Sequence, residues 1–420
     1  MHVWPLQSRP IALSLIAVLV SACAPYDVAA LADAAPVDTA PAVQAPEPSA
    51  PEAPLALGTA PAEASATQQA ALWWVNTFRA RVGLGPVDEV APLNASATAH
   101  ALYVLTHPEL YDEGQGLSVH VESPGKDGFT GANFWERMAS AGYAGAPFRE
   151  VIAYQANPAA AVAHWMETVY HRLPIVHPAA RHVGYAEAHL GTSTIDVLDM
   201  GSGHGKAKIA PSGVVWPPDG ARDVPLSWDG LESPAPPAPP GGFPSGPVVT
   251  LTFGSGLELS VSKHELIDAS GGGGLVPHVL LTPDSDPNLD GETSVVMYAN
   301  APLAPGHTYQ ALVEGEVKGK PFSRSWTFTT RDTTGCSLVA QDCGVGKGCY
   351  GTHVEGAVCA WAGAKAAGSA CGFQNDCAPG LTCVGEVCRA YCPLASCEHQ
   401  CIAGSTTLDV PGGIGLCEAQ

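Results

Sequence analysis

Twelve of the chain's thirteen cysteines lie between Cys336 and Cys417, and the thirteenth is Cys23. A block this dense reads as a disulfide scaffold, which places the protein in an oxidising, extracytoplasmic compartment. An internal repeat runs through it. Gln341-Asp342-Cys343-Gly344-Val345-Gly346-Lys347-Gly348-Cys349 parallels Asn375-Asp376-Cys377-Ala378-Pro379-Gly380-Leu381-Thr382-Cys383. Each copy has one cysteine upstream (Cys336, Cys371) and one downstream (Cys359, Cys388). With Cys392, Cys397, Cys401 and Cys417 the number is even and allows six bridges, whose connectivity the sequence leaves open. No C-x-x-C occurs, so zinc ligation is the poorer reading of this block. It has few apolar residues, and its bridges must supply much of its stability.

Forty acidic residues against nineteen basic ones give a net charge of −21. That balance excludes a nucleic-acid binder, which needs clustered Lys and Arg, and adsorption to anionic headgroups. Hydrophobic content of 46% still allows a real core, and 420 residues allow two or three domains.

Ile11 to Val20 is an apolar run, interrupted only by Ser14, after a short n-region and too short to span a bilayer. Val20-Ser21-Ala22-Cys23 resembles the bacterial lipobox, so residues 1–22 are expected to be a lipoprotein signal peptide and Cys23 the lipidated residue. Residue 24 is Ala rather than Asp, which favours the outer membrane or cell surface. Contact with the membrane is then through the lipid alone. Residues 23–66, rich in Pro and Ala and free of Lys and Arg, are expected to form a disordered tether.

Residues 67–205 form the first folded unit. Leu72, Val75, Phe78 and Val82 place a helix over Gln68 to Val82, and further helices are expected at Asn94–Thr106 and Gly131–Ala141. The clearest begins at Asn157-Pro158 and is expected to run to Pro174. Strands are expected at Val183–Ala188 and Thr192–Met200, which gives an α-β-α layered unit. On the fourth helix Glu167 and His171 stand at i and i+4 and share a face, as a metal-binding or proton-sharing pair would. His100 and His164 read as packing or surface residues.

Seven short motifs then follow in order: Asn76 to Leu84 (N-x-x-R-x-x-x-G-L), Leu93 to Leu102, His120-Val121-Glu122-Ser123-Pro124-Gly125, Arg137 through Tyr143, Glu150-Val151-Ile152-Ala153, Trp165 to Arg172, and Val183 to Ala186. Together they resemble the CAP superfamily (cysteine-rich secretory proteins, antigen 5 and pathogenesis-related 1) in its bacterial form. The resemblance implies an α-β-α sandwich with a cleft of two His and two acids that in some members holds zinc. Carried over, these are His120, Glu150 and His171, with Glu167 as the fourth. Arg149 and Val151 depart from the family's Gly and Asn, which alters the expected rim of the cleft.

Residues 210–332 read as a β-sandwich. Short strands are expected at Val248–Phe253, Leu257–Val261, Val276–Leu281, Ser294–Tyr298, His307–Val317 and Pro321–Thr330, with a hairpin turn at Lys318-Gly319. The stretch from Leu303 to Tyr309 and Ser325 to Thr330 resembles bacterial Ig-like domains. His264, His278 and His307 look scattered, as surface or loop residues. Residues 335–420 are the cysteine-rich region. Three functions stay open: a non-enzymatic module binding an envelope lipid, glycan or protein; a metal-dependent hydrolase with zinc on His120 and His171 and Glu150 or Glu167 as base; and a structural or adhesive envelope protein. No G-x-S-x-G occurs and the first unit has no cysteine, which disfavours a serine or thiol hydrolase.

Overall fold

The computed structural model describes residues 58–417 apart from 112–116, 156, 192, 204–209, 211, 271, 333–334, 344–346, 353–355, 372–373, 394–400 and 404–413. The expected signal peptide, Cys23 and most of the expected tether lie outside the described residues. The tether is shorter than expected at its far end. Thr59 already donates from its N–H and its hydroxyl to Asp88 Oδ1 (2.7 and 2.8 Å) and accepts from the N–H of Glu89 (2.8 Å).

In chain order the first unit contains α1 (Ala66–Arg81), β1 (Asp88–Glu89), α2 (Ala91–Thr106), α3 (Phe134–Ser140), β2 (Pro147–Ala153), α4 (Pro158–Glu167), α5 (Arg172–Ile175), β3 (His182–Leu190) and β4 (Ser193–Gly201). Ser65 and Gln68 close a reciprocal capping box on α1, which satisfies two of its free N–H groups. The sheet order is β1-β3-β4-β2. Its residues alternate between two cores, as the two-residue strand period requires. Val151, Ala153, Val183, Tyr185, Leu198 and Met200 face α1 and α4. Ile152, Ala186, Ala188, Ile195 and Val197 face Ala97, Ala101 and Val104 of α2. Gly184 permits that second contact, because a Cβ there would stand 2.1 Å from the Leu93 carbonyl carbon.

The fourth helix is shorter than the sequence suggested. Asn157 caps it through the Ala160 N–H (2.9 Å), but it ends at Glu167, and Thr168 is extended (ψ 172°). Pro174 lies inside the separate short helix α5, in a first turn where the missing N–H costs nothing.

Downstream come β5 (Val214–Trp216), β6 (Ala221–Val224), β7 (Val249–Ser255), β8 (Leu259–Asp268), β9 (Gly274–Leu275), β10 (His278–Leu281), β11 (Glu292–Ala299), β12 (Thr308–Val317) and β13 (Lys320–Thr330). They form a four-stranded sheet, β10-β11-β7-β5, and a five-stranded one, β6-β13-β12-β8-β9. Leu251, Phe253, Val295 and Met297 of the first sheet meet Leu266, Ala311, Val313, Trp326 and Phe328 of the second in one core. The Lys318-Gly319 turn forms with φ of 53° and 67°, the paired positive values of a type I′ hairpin. β11 is buried along both faces, because Val296 and Tyr298 on its outer side pack with Trp228 and with Val169 and Leu173 of the first unit.

The last region holds β14 (Lys347–Thr352), β15 (Gly356–Trp361), β16 (Leu381–Val384), β17 (Val387–Pro393), β18 (Cys401–Ala403) and β19 (Ile414–Cys417). Both repeats bridge alike, first to third and second to fourth: Cys336–Cys349 with Cys343–Cys359, and Cys371–Cys383 with Cys377–Cys388. Cys392 is also disulfide-bonded. Cys397 and the side chains of Cys401 and Cys417 lie outside what is described. The disulfides indicate an extracytoplasmic protein. Among the described residues no helix is long and apolar enough to cross a membrane.

Candidate functional site

The floor of the site is a buried charge cluster in the first unit. Glu150 on β2 accepts from Arg137 Nη2 on α3 (2.6 Å) and from His120 Nδ1 in the α2–α3 loop (2.9 Å), and its side chain is fully buried. Burial alone would raise its carboxyl. The His120 hydrogen bond and the charges of His100 and Arg137 outweigh that and hold it below the usual carboxylate range. Beside it, buried His100 on α2 reaches Glu122 Oε1 with Nδ1 and the Val119 carbonyl with Nε2, both at 2.9 Å. Both partners are acceptors, so only the imidazolium form satisfies both. Glu122 also accepts from the Thr130 N–H (2.7 Å). Asp199 stands directly opposite Glu150 in the β2–β4 ladder. Burial and then the Glu150 charge push its carboxyl well above its ordinary value.

The roof comes from elsewhere in the chain. Glu232, in the segment leading into the four-stranded sheet, places a fully buried carboxylate over the turn that ends α4. It accepts from the N–H groups of Val169 (2.7 Å), Tyr170 (2.7 Å) and His171 (3.0 Å) and pairs with His171 Nδ1 at 2.7 Å. Three convergent N–H groups at the start of α5 make an anion cradle, and Glu232 fills it. Ser233, Pro234, Asn288 and Glu292 then cover a cavity of about 170 Å³ that holds His120, Glu150 and His171. Arg149 reaches Glu292 Oε1 at 2.7 Å and ties the rim to the sandwich. The departure from Gly at this position thus has a purpose, and Val151 is simply core.

The sequence expectation therefore divides. His120, Glu150 and His171 line one cavity. Glu167 does not join them. With α4 ending at Glu167, it and His171 share no helix face; Glu167 is exposed and lines a separate cleft of about 550 Å³ between α4, the β6 and β13 ends and β15. His164, Asp229, Arg331 and Lys347 also line that cleft. Nor do the four converge on one point. Among the described residues, the only sets of three or more His, Cys, Asp or Glu donor atoms within 4.8 Å of one another are sulfurs of Cys336, Cys343 and Cys359 and of Cys371, Cys377 and Cys388, all in disulfides. Glu122, Arg137, Asp199 and Glu232 were missed. Glu122 and Arg137 lay inside motifs already singled out, whereas nothing in the sequence linked Glu232 to a turn 61 residues away.

Chemically the cavity offers two imidazoles, each with Nδ1 held by a carboxylate. Among the described residues neither Nε2 has a partner. A carboxylate on the far nitrogen is how a metal-bound histidine is oriented, but among the described residues no set of three His, Cys, Asp or Glu donors gathers here. No curated protein matches this chain. Residues 74–194 match the family model described as CAP, the cysteine-rich secretory protein family, and this match supports placing that part of the chain in the CAP superfamily.

Proposed function

We propose that this is an exported protein, anchored through a lipid on Cys23, whose CAP unit acts by binding rather than by catalysis. One observation carries this reading: the histidine cavity is small and its carboxylates are committed. Ligand pockets commonly measure about 300–1,000 Å³, and this one is about 170 Å³ under a roof of Ser233 and Pro234. Glu150 is locked between Arg137 and His120, and Glu232 is consumed by three N–H groups and His171. Neither is free to take a proton from water. A zinc ion on His120 and His171 would supply a Lewis acid; with Glu150 and Glu232 both committed to other partners, it would serve to hold the two imidazoles together.

The ligand is an envelope component, and the 550 Å³ cleft is the place for it. Its wall carries Glu167, Asp229, Arg331 and Lys347 rather than a continuous apolar surface, which favours a polar glycan or peptide over a lipid chain. The strands of residues 210–332 serve as an Ig-like spacer that also roofs the cavity. The test has two parts. Zinc titrated into the full chain binds, and His120→Ala and His171→Ala each abolish binding. Purified envelope glycans or peptides are retained by the wild type and lost by Glu167→Gln with Arg331→Ala. Zinc binding that survives both histidine changes sinks the metal assignment, and retention that survives the cleft changes sinks the ligand site.

A second reading, a metal-dependent hydrolase, is favoured by one residue. Glu292 faces the cavity and burial raises its carboxyl, although Arg149 opposes the shift. Raised carboxyls act as general acids. Zinc-dependent turnover lost in Glu292→Gln would establish it.

A further inference from the structure

Outside both clefts the fold brings together two histidines that the sequence left apart. His264 lies on β8 of the five-stranded sheet and His278 opens β10 of the four-stranded sheet. Between them the chain crosses from one sheet to the other through β9, Val276 and Pro277. His264 Nδ1 stands 2.8 Å from His278 Nε2, with the ring planes at 85°. His264 is exposed and His278 half-buried, so the pair sits at the open edge of the sandwich.

The second nitrogen of His278 fixes its tautomer. Nδ1 is 2.8 Å from the Val276 carbonyl oxygen, which can only accept. The hydrogen is therefore on Nδ1, and Nε2 presents its lone pair to His264. A backbone carbonyl on the far nitrogen is one of the standard ways of orienting a metal-bound imidazole. Among the described residues neither ring has a further hydrogen-bond partner. In the ladders Val313 lies opposite His264 and Ala299 opposite His278, and the nearby acid Glu265 is already paired with Lys263 at 3.1 Å.

We propose that His264 and His278 form a two-imidazole site for a late first-row divalent cation, Cu²⁺ foremost, which clasps the two sheets at this edge. The observed 2.8 Å is the length of a hydrogen bond between the two rings, which holds both donor nitrogens together at one point before any ion arrives. Imidazole suits copper, and the general affinity order places Cu²⁺ above Ni²⁺ and Zn²⁺. Water completes the coordination. In the metal-free pair the His264 Nδ1–H donates to His278 Nε2; on binding, that hydrogen passes through solvent to His264 Nε2, so two neutral rings become two ligands with no net proton release.

The experiment is a Cu²⁺ titration of the full chain carrying His120→Ala and His171→Ala, which clears the imidazoles of the CAP cavity. It is followed by calorimetry and by the nitrogen hyperfine pattern of the bound copper. One Cu²⁺ per chain with two imidazole nitrogens is expected. His264→Asn or His278→Asn should weaken it well beyond tenfold, since losing a mere orienting partner already costs about 10–100-fold. Both side chains are at the surface, and an unchanged far-ultraviolet spectrum confirms that the variants fold. Absence of stoichiometric Cu²⁺ binding, binding indifferent to both changes, or tighter Zn²⁺ than Cu²⁺ binding would each overturn the proposal.

Discussion

The replacement of Glu232 by Ala isolates the contact that holds the turn after α4. The carboxylate is fully buried and takes four donors: three N–H groups at 2.7–3.0 Å and His171 Nδ1 at 2.7 Å. A buried donor that loses its partner costs about 1–3 kcal/mol, and breaking a buried charged pair costs about 3–5 kcal/mol in all. Water entering from the adjoining cavity recovers part of the sum, so the lower end, about 3 kcal/mol, applies. At 1.4 kcal/mol per tenfold that is on the order of a hundredfold in the local opening equilibrium. Hydrogen exchange reads this directly. The amides of Val169, Tyr170 and His171 should exchange on the order of a hundredfold faster in Glu232→Ala, with the β3–β4 amides unaffected. Glu232→Gln keeps one acceptor oxygen and should fall between. Unchanged exchange at 169–171 would refute the reasoning, because the turn would then be held by something other than this carboxylate.

Further expectations follow from neighbouring contacts. Arg137→Leu strands Glu150 without its buried cation and should cost about 3–5 kcal/mol by denaturant unfolding, whereas Arg149→Ala cuts a partly exposed pair and should cost about 1 kcal/mol or less. His177 accepts from the Ala179 N–H on Nδ1 and reaches Ser255 Oγ with Nε2, and burial, then Arg149 and Arg79, lower its pKa to about 4. A group whose folded pKa lies below the unfolded value of about 6.5 binds more protons when unfolded, so stability is lost as pH falls from about 6.5 to about 4. Thermal unfolding against pH should show that slope in the wild type and less of it in His177→Asn. Removing Cys343–Cys359 as a Ser pair opens a loop of 16 residues and should cost about 3 kcal/mol.

Much of the fold was legible because local rules and the tertiary answer agree. The Asn157 cap, the Lys318-Gly319 turn and the two strands that flank it all act within a few residues. The failures share one cause. The fourth helix stops at Glu167, and a carboxylate 61–63 residues later captures the N–H groups of Val169, Tyr170 and His171, which no periodicity shows. The meeting of His264 and His278 depends in the same way on a crossing between sheets. His120, Glu150 and His171, singled out from ordered motifs, line one cavity. Glu167 was misplaced by assuming a helix face that the Glu232 contact removes.

The CAP unit is proposed to act by binding and not by catalysis. The most direct test is the hydrolysis of envelope glycans and peptides by the zinc-loaded full chain, measured beside Glu232→Ala and His171→Ala. The account predicts no turnover in any of the three. Turnover in the wild type that His171→Ala abolishes would contradict it.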